Sequence, residues 1–314
     1  MISFLIWSLI YSCHFYSEFY KLGQDKAIMK FTKMQGAGND FVVVETSDMQ
    51  RNWSQAAVAM CDRHYGIGAD GLLLLLPSDV ADFRMRIFNA DGSEAEACGN
   101  GLICLVKYFV DGRSTDSGVQ EVSAETSAGI RRAKIYKMND KVNKVQTGMG
   151  TPKFGERDIP VIPGQGDGDL VDITSILAYS MNLDGRKLQL DLVSMGNSHA
   201  VYFYQNPVSD FPLSQLGPKV EQHKSFPKGV NFEVARVVNR KQIEARVWEN
   251  GVGETLACGS GACAITVAAR LRGFIDDKAD IKLPGGTLEV AWDGVEEVFL
   301  SGPSETVFTG EWPD

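Results

Sequence analysis

The chain has 314 residues, of which 44% are hydrophobic and 23% are charged, and its formal net charge at neutral pH is −9. This is the composition of a globular protein with length for two domains. Because the charge is acidic and no long basic run occurs, nucleic acid and anionic membranes are poor candidates for a partner, and a small molecule is the better prediction.

The N-terminal segment, up to the residue before Met29, stands apart from the remaining sequence. Residues 2–11 are mostly apolar and aromatic but too short to span a bilayer. No Lys or Arg precedes them and no small-residue cleavage site follows, which argues against a signal peptide. Met29 opens a second plausible start. We therefore expect residues 1–28 to be a non-native or disordered extension, with a weak membrane tether as the alternative.

Four elements are predicted in the first half of the chain. Residues 54–63 have the pattern of a peripheral helix, and residues 72–76 that of a buried strand. Residues 83–88 alternate as in a half-buried strand, and a helix is predicted to begin near Gly99. The Gly- and Asp-rich run at 163–169 is predicted to be a surface loop.

The chain repeats itself when it is aligned with itself so that Phe83 falls on Ile243. In this repeat alignment residues 83–101 match residues 243–261, which predicts a second strand at 243–248 and a second helix near Gly259. Identical residues meet at several positions, among them Arg86 with Arg246, Glu94 with Glu254, and Cys98 with Cys258. The second helix is apolar nearly all round, so we expect strands to surround it.

Two equivalent halves follow from this repeat. If the last strand crosses back to the first half, one domain comprises residues 29–146 plus 302–314 and contains Cys98. The other domain comprises residues 147–301 and contains Cys258. This domain organisation is an expectation from the matched half-ends.

Cys98 and Cys258 differ from the other four cysteines in their setting. Each stands immediately before a predicted helix in the pattern Ala-Cys-Gly-X-Gly. Unpaired N–H groups and the positive end of the helix dipole would bind a substrate carboxylate there, and would lower the pKa of the thiol. Two such helix starts facing each other would place one sulfur on each face of a substrate α-carbon. One cysteine could then remove a proton as base while the other donates a proton to the opposite face as acid.

The other cysteines have simpler interpretations. Cys61, Cys104 and Cys263 are expected to be small hydrophobic residues of the core. The cysteines are sparse in a long chain, which favours free thiols in a reducing cytoplasm, although a structural Cys98–Cys258 disulfide stays open. No CxxC pair occurs and the histidines are scattered, so no metal is predicted.

From residue 29 onward the sequence resembles the diaminopimelate epimerase family. The motifs that carry the resemblance are residues 33–41 (KMQGAGNDF), 66–71 (GIGADG), 88–93 (FNADGS), 97–101 (ACGNG), 195–199 (MGNSH), 229–231 (GVN) and 253–261 (GETLACGSG). The resemblance implies an α/β (α+β) fold of two pseudo-twofold-related domains, each a strongly curved sheet around a central helix. It also implies a homodimeric cytoplasmic isomerase that needs no cofactor and interconverts LL- and meso-diaminopimelate in lysine and peptidoglycan-precursor biosynthesis.

The resemblance also implies the site residues. Cys98 and Cys258 match the catalytic pair, and His199 and Glu249 match the residues that help to deprotonate them. Taken alone, His199 could be structural and Glu249 a solvated charge. The residues that match substrate-binding positions are Asn39, Asn89, Gly99, Asn100, Asn197, Asn231, Asn250, Gly259 and Ser260. Asparagines in Gly-rich loops are also common turn formers, which is the alternative for Asn39 and Asn89.

Two positions depart from the family pattern. Ser198 stands where the family usually has proline, a change that we expect to be mild. Asn250 stands where the family has an arginine for the distal carboxylate, and an amide offers no positive charge or forked guanidinium. The sequence therefore leaves open a pyridoxal-independent racemase of another amino acid. A non-catalytic amino-acid binder would be expected to lose one of the two cysteines, and neither is lost.

Overall fold

The computed structural model describes residues 28–95, 98–113, 120–138, 141–155, 157–162, 169–173 and 176–313. The expectations for residues 1–27, and for the loop at 163–168, lie outside these ranges. Ile28, the last residue of the predicted extension, begins a strand. Asp169, the last residue of that predicted loop, begins a strand.

Within the described ranges, the chain forms nineteen strands, four α-helices and one short 3₁₀ turn. The elements of the first half are β1 Ile28–Gly36, β2 Asn39–Glu45, α1 Trp53–Cys61, β3 Gly71–Leu76, β4 Phe83–Asn89, β5 Glu94–Ala95, α2 Gly99–Asp111, β6 Glu121–Thr126, β7 Gly129–Met138 and β8 Lys141–Gly148. Those that follow are β9 Asp169–Ile173, β10 Ile176–Leu183, β11 Arg186–Ser194, β12 Ser198–Phe203, the 3₁₀ turn Val208–Asp210, α3 Leu213–Glu221, β13 Asn231–Asn239, β14 Gln242–Glu249, β15 Gly253–Thr255, α4 Gly259–Leu271, β16 Lys278–Leu283, β17 Gly286–Ala291, β18 Phe299–Gly302 and β19 Glu305–Pro313.

The predicted elements lie where the sequence patterns place them. The continuous run of leucines in β3 is buried on both faces, and β4 alternates between buried and half-buried residues. The helix expected at 54–63 is α1, which begins one residue earlier because the Asn52 side chain accepts a hydrogen bond from the N–H of Gln55. The helices expected near Gly99 and Gly259 begin at those residues.

The order of strand pairing in the first half recurs in the second. In the first half β1–β2 is antiparallel, β2–β3 parallel, β3–β4 antiparallel and β4–β6 parallel, and β6, β7 and β8 follow as antiparallel neighbours. The strands from β11 to β18 repeat this order, with β11 in the place of β1. The repeat alignment of the sequence thus relates matching elements of the fold.

Two further pairings connect the halves. Strands β8 and β18 pair antiparallel, with Gly148 opposite Phe299. The last strand, β19, pairs with β1 in the manner in which β10 pairs with β11. The predicted division into 29–146 plus 302–314 and 147–301 has its boundaries inside β8 and β18 and stays a prediction.

The helices α2 and α4 lie inside the strands and share one hydrophobic core. Every residue of α4 from Gly261 to Ala269 is buried, as its apolar sequence predicts. Leu105 of α2 and Ile265 of α4 belong to the same cluster of buried side chains. Across the described ranges, no helix has the length and apolar character needed to cross a membrane.

Candidate active site

Cys98 and Cys258 cap the two central helices. Both have extended backbone conformations, with φ and ψ of −145° and 116° for Cys98 and −125° and 115° for Cys258. Each sulfur accepts a hydrogen bond from the N–H three residues later, at 3.4 Å from Gly101 N and 3.4 Å from Gly261 N. The cysteines therefore occupy the position at which the first helical N–H groups lack backbone partners.

The starts of the two helices lie against each other. A Cβ atom built on Gly259 of α4 would lie 3.7 Å from Asn100 Oδ1 and 3.8 Å from Asn100 N of α2. The Leu300 side chain lies beside both helix starts. A Cβ atom built on Gly99 would be 2.7 Å from Leu300 Cδ2, and one built on Gly259 would be 3.1 Å from the same atom. This approach requires glycine at residue 99, where any side chain would overlap its neighbours. The two-helix arrangement expected from the repeat is thus present.

The expected lowering of the thiol pKa values is wrong. Burial raises the pKa of Cys98 to about 11, and this effect outweighs the hydrogen bond from the Gly101 N–H. Burial also raises the pKa of Cys258 well above its ordinary value, and the negative charge of Glu249 acts in the same direction. Desolvation of the sulfur exceeds the favourable field at the helix start. Both groups are therefore thiols at neutral pH and need a base.

Neutral amides surround Cys98. Its thiol donates to Asn39 Oδ1 at 3.9 Å, and the same oxygen accepts from Asn100 Nδ2 at 3.4 Å. Asn39 Nδ2 in turn donates to Asp70 Oδ2 at 2.7 Å. Asn39 and Asn100, both predicted to bind substrate, thus contact the cysteine region, and Asp70 holds Asn39 in place. The Oδ1 atom of buried Asn100 has no hydrogen-bond partner in the described part of the chain.

Cys258 lies beside a carboxyl group and a hydroxyl group. Ser260 Oγ is 3.5 Å from its sulfur, and a hydrogen bond joins the thiol to the Glu249 carboxyl. Glu249 also accepts a hydrogen bond from Thr255 Oγ1 at 2.5 Å. Burial raises the pKa of the Glu249 carboxyl, and the two hydrogen bonds only partly oppose this. A carboxylate with a raised pKa is a stronger proton acceptor at neutral pH.

His199 lies on β12 with its ring completely buried. Its Nδ1 atom is 2.7 Å from Glu233 Oε1, and its Nε2 atom is 2.9 Å from Asn197 Oδ1. Asn197 Nδ2 reaches Ser260 Oγ at 3.4 Å. A line of contacts therefore runs from buried Glu233 through His199 and Asn197 to Ser260, whose hydroxyl lies beside the Cys258 sulfur.

Asn231 and Asn250 hold two loops together. The Asn231 side chain accepts from the N–H of Asn250 at 3.0 Å and donates to the carbonyl of Ser198 at 2.9 Å. Asn250 Nδ2 donates to the Lys228 carbonyl at 3.0 Å. Arg246, two residues before Trp248 on β14, pairs with Glu254 at 2.7 Å. It therefore does not replace the guanidinium that is missing at residue 250.

The contacts of Asn89 are those of a turn former. Its Nδ2 donates to Ser93 Oγ at 2.9 Å, and its backbone closes the turn between β4 and β5. The side chain is exposed, and none of its hydrogen bonds in the described residues reaches either cysteine. Binding of substrate by Asn89 stays a prediction.

Sequence reasoning missed Glu233 and Asp70. Glu233 is completely buried on β13, a position at which strands carry apolar residues. The repeat alignment places it opposite Leu73. A charged residue aligned with a leucine of a buried strand was the sequence signal that could have identified Glu233. Asp70 lies in the 66–71 motif, but only its contact with Asn39 shows what it does. Over the described residues, no group of three or more His, Cys, Asp or Glu side chains could hold a metal ion.

Two solved structures share this fold. A hydroxyproline epimerase from Agrobacterium vitis matches 91% of this chain and 93% of its own, with a TM-score of 0.66 and 15% sequence identity. A probable proline racemase from Agrobacterium radiobacter matches 90% of this chain and 92% of its own, with a TM-score of 0.64 and 16% identity. The class of fold is therefore the mixed α/β, sheet-dominated fold of these two proteins, as predicted.

Sequence comparison identifies the family within that class. The family model for diaminopimelate epimerase matches residues 31–155 and 192–307. The diaminopimelate epimerase of Acetivibrio thermocellus is 43% identical over 285 residues, which cover 90% of this chain and 98% of that protein. The diaminopimelate epimerase of Methanococcus maripaludis strain C5 is 44% identical over 285 residues, covering 90% and 99%. The chain belongs to the diaminopimelate epimerase family and is an isomerase, which confirms the predicted family and enzyme class.

Proposed function

We propose that this protein interconverts LL- and meso-diaminopimelate, in lysine and peptidoglycan-precursor biosynthesis, by proton transfer between Cys98 and Cys258. The family supports the substrate. The geometry supports the chemistry, because two cysteines cap two helices whose starts are in contact, and this observation carries the proposal.

The reaction is a balanced exchange of two protons. One cysteine, as thiolate, takes the α-proton, so that a C–H bond breaks and an S–H bond forms. The other cysteine, as thiol, gives its proton to the opposite face of the same carbon. The N–H groups at Gly99-Asn100 and Gly259-Ser260 bind the α-carboxylate and stabilise the negative charge that develops at the carbon. After turnover, the two cysteines have exchanged protonation states.

Because burial keeps both sulfurs protonated, each needs a proton acceptor. Glu249 is in contact with Cys258, and its raised pKa suits it to take the proton. His199 is proposed as the second acceptor, and in this structure Asn197 and Ser260 lie between its ring and Cys258. Asn39, Asn89, Asn197, Asn231 and Asn250 are proposed to bind the polar groups of the substrate.

The test is proton exchange at the α-carbon of a panel of amino acids. Purified protein in D₂O, followed by ¹H NMR, should remove the α-proton signal of LL-diaminopimelate faster than that of any neutral-tailed amino acid. A faster neutral-tailed substrate would instead establish the racemase alternative, which the Asn250 position favours. Absence of exchange with every amino acid would identify a non-catalytic binder.

The assembly is proposed to be a cytoplasmic homodimer. Within the described residues, β19 pairs only with β1, and it exposes 56% of Val307 and 45% of Phe308. A strand with one unpaired edge and exposed apolar side chains is suited to pairing with a second copy. Light scattering should give twice the chain mass, and Phe308→Lys should give the monomer; a wild-type monomer would refute the dimer.

Five cysteines of the described chain are free thiols, which fits a reducing compartment.

A further inference from the structure

The least expected feature of the site is a buried contact between a histidine and a carboxyl group that only one half of the repeat contains. His199 and Glu233 are completely buried, and His199 Nδ1 and Glu233 Oε1 are 2.7 Å apart. The other carboxylate oxygen, Oε2, has no hydrogen-bond partner in the residues that the structure describes. A buried carboxylate with one unpaired oxygen is costly, so its presence needs a reason.

The first half of the chain shows what the fold requires at these two positions. His199 pairs with Asn231 across β12 and β13, as Phe41 pairs with Gly71 across β2 and β3. Two positions further along β13, Glu233 corresponds to Leu73 of β3 in the repeat alignment. The first half therefore builds the same strand pair with Phe41 and Leu73, an apolar pair that is also buried.

Leu73 and Glu233 also have matching contacts with the central helices α2 and α4. A Cβ built on Gly101 of α2 would lie 3.0 Å from Leu73 Cδ2, and one built on Gly261 of α4 would lie 3.0 Å from Glu233 Oε1. The Glu233 carboxylate thus occupies the place of a leucine side chain beside the first turn of the helix that Cys258 caps. Packing alone would be served by leucine, so the carboxylate is retained for what it does to His199.

We infer that Glu233 is a positioning residue for the proposed epimerisation: its carboxylate holds a proton on Nδ1 of His199 and leaves Nε2 as the ring atom that serves the site. Nε2 lies 2.9 Å from Asn197 Oδ1, which can only accept, so this contact becomes a hydrogen bond once Nε2 carries a proton, and Asn197 Nδ2 donates to Ser260 Oγ beside Cys258. When His199 accepts a proton at Nε2, the ring becomes a cation, and Glu233 supplies the buried counter-charge. This role parallels the carboxylate that orients a catalytic histidine from behind.

The inference rests on the proposed function, and kinetics of four variants test it. Glu233→Gln should lower kcat by about 10- to 100-fold, the usual cost of losing such an orienting group. Its KM should stay within about twofold, since Glu233 does not touch substrate. Glu233→Asp, which keeps the charge, should recover part of the loss. Adding Glu233→Gln to His199→Phe should cause no further loss, because Glu233 acts only through His199.

The double variant His199→Phe/Glu233→Leu is the control for folding. It copies the Phe41 and Leu73 pair, so it should unfold at or above the wild-type temperature while being as inactive as His199→Phe alone. Wild-type kcat in Glu233→Gln, or a further loss when Glu233→Gln is added to His199→Phe, would overturn the inference.

A spectroscopic measurement separates this inference from the proposed function. The ¹⁵N NMR signals of the His199 ring should show the proton on Nδ1 in the wild-type protein and lose that preference in Glu233→Gln. If the wild-type protein epimerises no diaminopimelate, the proposed substrate fails while the ring measurement still decides the role of Glu233. A wild-type ring without a proton on Nδ1 would refute that role.

Discussion

The two cysteines have equivalent backbone positions but different neighbours. The Cys98 thiol contacts the neutral amide of Asn39, whereas Cys258 contacts the Glu249 carboxyl. Burial is the largest cause of the raised pKa of both thiols, and the negative charge of Glu249 adds to it. At the residue scale, the pseudo-symmetric framework therefore carries an asymmetric set of acids and bases.

The raised pKa of Cys98 makes a prediction about thiol reactivity. An acid whose pKa is raised keeps its proton to higher pH, so alkylation of Cys98 by iodoacetamide should be slow at pH 7. Its rate should rise about tenfold per pH unit until the pH approaches about 11. Mass spectrometry of the labelled peptides measures this rate.

A matched variant tests the cause of this behaviour. Glu249→Gln removes the negative charge that contributes to the raised pKa, so the Cys98 curve should move to lower pH. The denatured chain serves as the control with ordinary thiol behaviour. A folded enzyme whose Cys98 already reacts at its maximal rate at pH 8 would contradict the account.

Asn250 allows the distal end of the substrate to be tested. A charge-assisted hydrogen bond is worth about 1.5–3 kcal/mol against about 0.5–1.5 kcal/mol for a neutral one. Asn250→Arg should therefore tighten the KM for diaminopimelate about fivefold and leave kcat nearly unchanged, because that end of the substrate does no chemistry.

Asn250→Ala is the control for this substitution. It loses the same hydrogen bond to the Lys228 carbonyl but adds no cation, so the two variants separate tethering of the loop from binding of substrate. If Asn250→Arg impairs the wild-type reaction and a neutral-tailed amino acid is the better substrate, the site serves another racemisation.

At the scale of elements, the helix starts are the parts that the sequence predicts best. The Ala-Cys-Gly-X-Gly pattern, present twice, predicts both helix starts and the capping role of Cys98 and Cys258, because caps depend on local sequence. The pKa of a thiol depends instead on the atoms packed around it from distant strands, and the local expectation was wrong. The partner of His199 was missed for the same reason, since Glu233 lies on a different strand, far from His199 in the sequence.

The approach of the two helices makes a prediction about Gly99. A Cβ there would lie 2.7 Å from both Leu300 Cδ2 and Met149 Sδ, so Gly99→Ala must displace the start of α2. We expect a loss of about 1–3 kcal/mol in the free energy of unfolding, and a loss of activity larger than this implies, because Cys98 moves with the helix.

The control for Gly99→Ala is Gly155→Ala. A Cβ at Gly155 would meet only Asp158 Oδ2, at an ordinary 3.6 Å. Urea denaturation and epimerisation assays on both variants check the prediction. Wild-type activity in Gly99→Ala would show that the helix starts need not approach so closely.

At the scale of the whole molecule, the repeat explains the framework and the differences between halves explain the chemistry. Aligning the sequence with itself predicts that β4 and α2 recur as β14 and α4, and the strand pairings repeat accordingly. The pairing of β19 with β1 joins the first and last strands of the described chain, which sequence alone supported only as a guess. Acid and base groups gather in one half, where His199 replaces Phe41 and Glu249 replaces Asn89.

Isotope incorporation in D₂O tests the two-cysteine mechanism most directly. With LL-diaminopimelate as substrate, early meso product should carry deuterium at the inverted α-carbon, because its proton comes from a thiol that has exchanged with solvent. The recovered LL-substrate should stay protonated, because the thiol that took its proton returns the same one. Cys98→Ser and Cys258→Ser should each lower the rate of epimerisation by about 10²–10⁴-fold. Equal deuterium in substrate and product, or wild-type rates in either serine variant, would contradict the account.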